Sequence, residues 1–281
     1  MSRKTIFELV SEKFDLSREL YRIRVLFEEI KVFSMPFQRD QTVLDYVKLT
    51  GFSQWKNRGH CIDADVFLDL LCYKDLWGTA VTCERDFLTL LEIIYNFWYI
   101  ASVFKTYDSN DRVRDFFLLK EILDDCLSQY NYKGIYFQDR EQLIVIENKP
   151  EVTAVAEIVN NNVAYDILRY NHYTLKGDLK LKKGIILAIG SDLEPKRKKI
   201  NAVDNKLEEG IFYMLNNLHL RHNNKTIGNG YYNEVVDKMD DETLEYWYDE
   251  LYQMMLLAYL ELDQIERNDR INELRSISKS K

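Results

Sequence analysis

The residues best suited to chemistry are crowded between Leu207 and Gly230. Two of the protein's four histidines, His219 and His222, lie there, with Arg221 between them and the pairs Asn216/Asn217 and Asn223/Asn224 on either side. A guanidinium holds phosphate oxygens through paired N–H donors, and an imidazole moves protons near neutral pH, so this set could grip or cleave a phosphodiester. Arg221 and His222 are the candidate catalytic residues. Asn216, His219, Asn223 and Asn224 are the candidate substrate-positioning groups. A structural reading competes with this one: a basic helix end followed by Asn and Gly is also an ordinary stop signal.

The element that must position them is an amphipathic helix. Ile211, Met214, Leu215 and Leu218 recur at helical spacing and predict a buried stripe, with Asn216, His219 and Asn223 on a neighbouring polar side. Arg221 and His222 are then expected in its last turn, where exposed carbonyls favour cations. Upstream, Lys180, Lys182, Lys183 and the run Lys196, Arg197, Lys198, Lys199 form a basic segment that could attract phosphate. A solvated helix face paired with the acidic stretch from Glu234 to Glu266 accounts for it equally well. The net charge of −8 argues against a general nucleic-acid coat.

A helix ending in an Arg-polar pair, followed by an Asn/Gly-rich loop and one long closing helix, resembles the C-terminal part of HEPN domains. These are helical modules of prokaryotic abortive-infection proteins, toxins and RNA-guided effectors. The resemblance implies a phage-defence protein whose module binds RNA and cleaves it without metal or other cofactor, Arg221 steadying the phosphate and His222 moving the proton. It also implies a homodimer as a possible state and RNA or other defence proteins as partners. The family places its histidine a few residues beyond the arginine pair, where this chain reads Lys225, Thr226, Ile227 and Gly228. Either His222 or His219 therefore takes the proton-transfer role, or the module is a catalytically inactive adaptor of a larger defence complex.

The rest of the chain reads as mainly α. A chain of 281 residues with 46% hydrophobic and 13% aromatic residues, but 3 prolines and 10 glycines, can bury a substantial helical core. Thr5 to Val32 predicts one or two amphipathic helices ended by Pro36, Asp40 to Leu49 a short helix closing before Gly51, and Arg112 to Gln129 another helix. The apolar run from Arg85 to Phe104 approaches membrane-span length, but Glu92, Asn96 and flanking charges mark a buried central helix and no membrane partner. Ile135 to Phe137 and Leu143 to Ile146, separated by a polar turn, predict a β-hairpin. Helices then follow at EVTAVAEIV and AYDILRY and through LKLKKGIILAIGSDLEPKRKKI, with a kink or new first turn at Pro195. The closing helix from Glu242 to about Arg267 carries an apolar stripe that reads as core or dimer seam. The expected organisation is an N-terminal helical bundle over 1–130, a β-hairpin connector over 131–150 and a HEPN-like helical bundle over 151–281.

Other constellations carry less. Asp63 and Asp65 precede an apolar helix and read as its N-terminal carboxylates, although their spacing with Asp69 could hold a divalent ion. Glu147-Asn148-Lys149, with Asp139, echoes a metal-nuclease strand and equally a strand-to-helix turn. His60/Cys61 lacks an orienting third group. The four cysteines show no zinc spacing and read as reduced thiols of a cytoplasmic protein. Walker, GxGxxG, GxSxG and HExxH patterns are absent, so nucleotide hydrolysis, dinucleotide redox chemistry and serine-type hydrolysis have no support.

Overall fold

The computed structural model describes residues 14–34, 39–107, 109–226, 228 and 230–279. The expected helix over Thr5 to Lys13 and the break at Pro36 lie outside them. The chain forms two compact units, Met1–Asn148 and Lys149–Lys281. The protein is mainly α with a single two-stranded hairpin among the described residues.

In the first unit α1 (Leu16–Arg24) is capped by the Asp15 carboxylate and runs on through a wider π turn at Val25–Glu29. α2 (Val43–Tyr46) starts at a capping box formed by Thr42 and Asp45. It does not stop before Gly51: a π turn over Val47–Gly51 carries it on to Gln54. There Gly51 lies so close to Ile100 that an added Cβ would meet Ile100 Cγ2 at 2.7 Å. α3 (Ala64–Leu70) is capped by Asp63, which accepts from the Val66 N–H at 2.8 Å, and Asp65 pairs with Lys48 at 2.6 Å. These aspartates are the helix-end carboxylates that their spacing suggested. α4 (Tyr73–Thr79) leads into α5 (Glu84–Phe104), the central helix, whose Phe87, Leu91, Ile94, Phe97 and Ala101 are fully buried. α6 (Val113–Gln129) packs beside it, Trp98 lying flat against Phe116 at 4.7 Å.

The hairpin of β1 (Tyr132–Phe137) and β2 (Gln142–Glu147) is antiparallel, with Ile135 opposite Ile144. Leu143 to Ile146 are all buried. The polar residues of α5 account for this placement. Asn96 donates to the Leu143 carbonyl at 3.0 Å and accepts from the Leu143 N–H at 2.9 Å, while Glu92 accepts from the Val145 N–H at 2.7 Å. The hairpin is thus built into the first unit, and the division between the two units falls between Asn148 and Lys149.

In the second unit α7 (Pro150–Ala156) opens with proline at its first position, and α8 (Asn161–Tyr170) is capped by Asn160. α9 (Leu179–Leu193) ends in a tight turn at Glu194–Lys196 around Pro195, from which α10 (Arg197–Val203) starts. α11 (Asn205–Asn217) is capped by Asp204. A short α12 (Glu234–Asp237) precedes α13 (Asp241–Lys279), which Asp240 caps through the Thr243 N–H. α13 runs past Arg267, where the buried stripe had suggested an end. Its buried face, Leu244, Tyr248, Leu251, Tyr252, Met255 and Tyr259, packs on α7, α9, α10 and α11. Gly190 of α9 touches Leu215 and Met255, so a glycine that weakens a helix in isolation permits close helix packing.

Candidate functional site

The turn after α11 differs from the expected helix end. Ile211, Met214, Leu215 and Leu218 are buried as their spacing predicts, but the helix stops at Asn217. Arg221 and His222 therefore stand in the loop beyond it, and not in a last helical turn. His219 takes the left-handed conformation with φ 57°, which histidine tolerates better than most residues. Leu220 turns inward and is buried, and the Arg221 N–H closes on the Leu215 carbonyl at 3.0 Å.

Asn224 holds this turn. It is 1% exposed. Its Oδ1 accepts from the His219 N–H at 2.8 Å, and its Nδ2 donates to the carbonyls of Asn216 at 3.3 Å and Tyr231 at 2.7 Å. Its backbone N–H donates to His219 Nδ1 at 3.3 Å, and its carbonyl accepts from the Asn233 N–H at 2.9 Å. Every donor of Asn224 is used within the turn and the end of α11, so Asn224 positions backbone. The helix stops early because this side chain takes the free carbonyl at its end. Asn223 is exposed and bonds locally, donating to Thr226 Oγ1 at 2.8 Å and accepting from the Lys225 N–H. Asn216 enters the turn through its carbonyl.

The two histidines divide. His219 Nδ1 accepts from an amide, so its proton sits on Nε2. Burial, with Lys183 and Lys225 nearby, pushes its pKa below the usual 6.5. A general base would need the Nε2 lone pair and a general acid would need both nitrogens protonated; either places Nδ1–H against the Asn224 N–H. The turn therefore favours a neutral His219 that donates through Nε2. Lys183 donates to the His219 carbonyl, and burial lowers the pKa of its ammonium. His222 lies flat on Tyr231, ring centres 3.8 Å apart and planes at 3°.

Arg221 is committed to an acid. Its Nη2 donates to Glu194 Oε2 at 2.5 Å, and its guanidinium stands 5.6 Å from the centre of the Phe212 ring. Arg197 shares that ring at 4.4 Å and donates to Glu208, which is 4% exposed and also accepts from Asn201. Two arginines and two glutamates thus converge on Phe212 with their charges balanced. Glu194, Glu208, Phe212 and Tyr231 went unnoticed in the sequence. The Glu194–Arg197 spacing was a legible helix pair; the Arg197–Glu208 pair, eleven residues apart, was not.

The basic segment is divided in the same way. Lys182 is buried and paired with Glu245 at 2.7 Å and Asp249 at 2.6 Å, and Lys196 pairs with Asp192 beneath Tyr259. Lys196 and Lys199 line a cleft of about 520 Å³ that also holds Asp263, Glu266 and Asp269. Lys198 and Lys199 are exposed. Elsewhere, Glu147 ends β2, and Lys149 directly precedes α7 and donates to Asn171. No cluster of three or more His, Cys, Asp or Glu suited to a metal occurs among the described residues. All four cysteines are free, and burial pushes the Cys126 thiol up to about 12. No protein-family model, curated protein or solved structure matches this chain.

Proposed function

We propose that the chain is a helical interaction module of a prokaryotic host-defence assembly, HEPN-like in its second unit, whose turn from Arg221 to Asn224 is a structural junction and not a ribonuclease centre. The observation that carries this reading is the engagement of three of the candidate groups within the fold. Arg221 is paired with Glu194, His219 Nδ1 accepts from the Asn224 N–H, and Asn224 is buried with its donors used. A phosphate at Arg221 would have to share the guanidinium with the Glu194 carboxylate, which repels it. Exposed Tyr246 and Trp247 on α13 suit an interaction role, since amphipathic aromatics are enriched in interfaces.

Binding of RNA without cutting is the second reading. It is supported by Lys198 and Lys199, which have no ion pair among the described residues. The test is incubation of a labelled tRNA pool with the chain in EDTA. The RNA is expected to stay intact. Metal-independent cleavage that disappears in folded Arg221→Ala and His222→Ala variants would overturn the proposal. Salt-sensitive retention of uncut RNA, lost in a Lys198→Glu/Lys199→Glu variant, would select the second reading.

A further inference from the structure

We propose that the outer face of α13 docks a second copy of this chain, with the two helices antiparallel. Opposite the buried face of α13 runs a second series, Leu257, Leu260, Gln264, Arg267, Ile271 and Leu274, alternating steps of three and four residues as a coiled-coil seam does. Its apolar members are open to solvent: Leu257 is 46% exposed, Leu260 36%, Ile271 44% and Leu274 64%. Every residue from 266 to 276 is exposed, so none of the described residues of the second unit covers this stretch of the helix. A free helix of that length is marginal in water, and Asn268, Asn272, Ser276 and Ser278 are poor helix formers. Such a segment gains most from a partner that buries its leucines.

The charges select the partner and its direction. In an antiparallel pair centred between Gln264 and Arg267, Leu257 meets Leu274 of the partner subunit, Leu260 meets Ile271 of the partner subunit, and Gln264 meets Arg267 of the partner subunit. Each contact occurs twice. Asp263 then flanks Arg270 of the partner subunit. A parallel pair would instead set Arg267 against its own copy inside the seam and Arg270 beside Arg275 of the partner subunit, both repulsive. Within each helix Asp263 pairs with Arg267 and Arg270, and a second copy in the antiparallel sense meets these residues without a like-charge contact.

The inference does not depend on how the Arg221 turn is read, and its test shares no readout with RNA cleavage. The full chain is examined by sedimentation equilibrium. The wild type is expected to form a reversible dimer with a Kd on the order of micromolar. Leu274→Asp, at a position with nothing packed on it, is expected to give a folded monomer. Gln264→Glu places a carboxylate opposite Arg267 of the partner subunit twice and is expected to tighten the dimer by about tenfold. A wild type that stays monomeric up to about 100 µM would overturn the proposal. So would a dimer unaffected by Leu274→Asp, and a dimer weakened by Gln264→Glu would rule out the antiparallel register.

Discussion

Replacing Asn224 by alanine is the sharpest probe of the turn. The substitution removes the acceptor of the buried His219 N–H and both donors that hold the Asn216 and Tyr231 carbonyls. An unsatisfied buried polar group costs about 1–3 kcal/mol. Tyr231 is exposed and Asn216 half-buried, so water can replace part of what their carbonyls lose, while the His219 N–H is less accessible. The expected loss is about 2–3 kcal/mol, seen as a fall in the urea midpoint of the second unit on the order of 1 M. Hydrogen exchange should accelerate at the amides of His219, Arg221 and Asn233, whose bonds the turn organises. Asn224→Asp keeps the acceptor but turns a carboxylate oxygen toward two carbonyls, and should be no better than alanine. The neighbouring Asn223 is the control: it is exposed and bonds only locally, so Asn223→Ala should cost no more than about 0.5 kcal/mol. Equal effects at the two positions, or an Asn224→Ala variant as stable as wild type, would refute the argument.

Other contacts in the two units give further expected outcomes. Folding depresses the His219 pKa, so the stability carried by its neutral ring is complete above 6.5 and is lost as pH falls from 6.5 through the lowered folded value; NMR titration of the ring, and a flatter pH profile of the urea midpoint in a His219→Asn variant, check this. Arg197→Ala should cost more than Glu208→Gln, about 3 against about 1 kcal/mol, because the first leaves a carboxylate buried while the second frees an arginine that is already half-exposed; paired denaturation curves decide. Gly51→Ala should destabilise the first unit by about 1–3 kcal/mol, since the new Cβ meets the stiff Ile100 side chain. Gly210→Ala, which meets the flexible end of Met254, should be near neutral because α11 gains helix propensity in return.

The parts of the fold legible in the sequence were those written in local periodicity. The run of α5, the alternation in the hairpin and the stripe of α11 all specify their buried faces from residues a few places apart. Glu92 and Asn96 mark a buried helix by their polarity, but that they bond the backbone of β2, some fifty residues away, is not written in local sequence. The end of α11 was misplaced because the stop is made by Asn224 reaching back to Asn216, a bond that helix propensity does not encode. The candidate site suffered most. Residue types drew attention to Arg221 and the histidines, but the groups that occupy them, Glu194 and Asn224, are fixed by how α9, α10 and the loop fold back on α11. The reach of α13 beyond Arg267 was missed for a simpler reason: its outer stripe continues after its buried one has ended.

The docking of the hairpin on α5 bears on how this protein can meet others. A two-stranded sheet normally leaves a row of unsatisfied amides and carbonyls along each outer strand, and such a row invites a third strand from another chain. Along β2 that vacancy is closed by side chains: Asn96 takes both backbone groups of Leu143, and Glu92 takes the Val145 amide. Recruitment of a foreign peptide to this edge, whether by a partner or in amyloid-like growth, would first have to break those bonds and expose the buried row from Leu143 to Ile146.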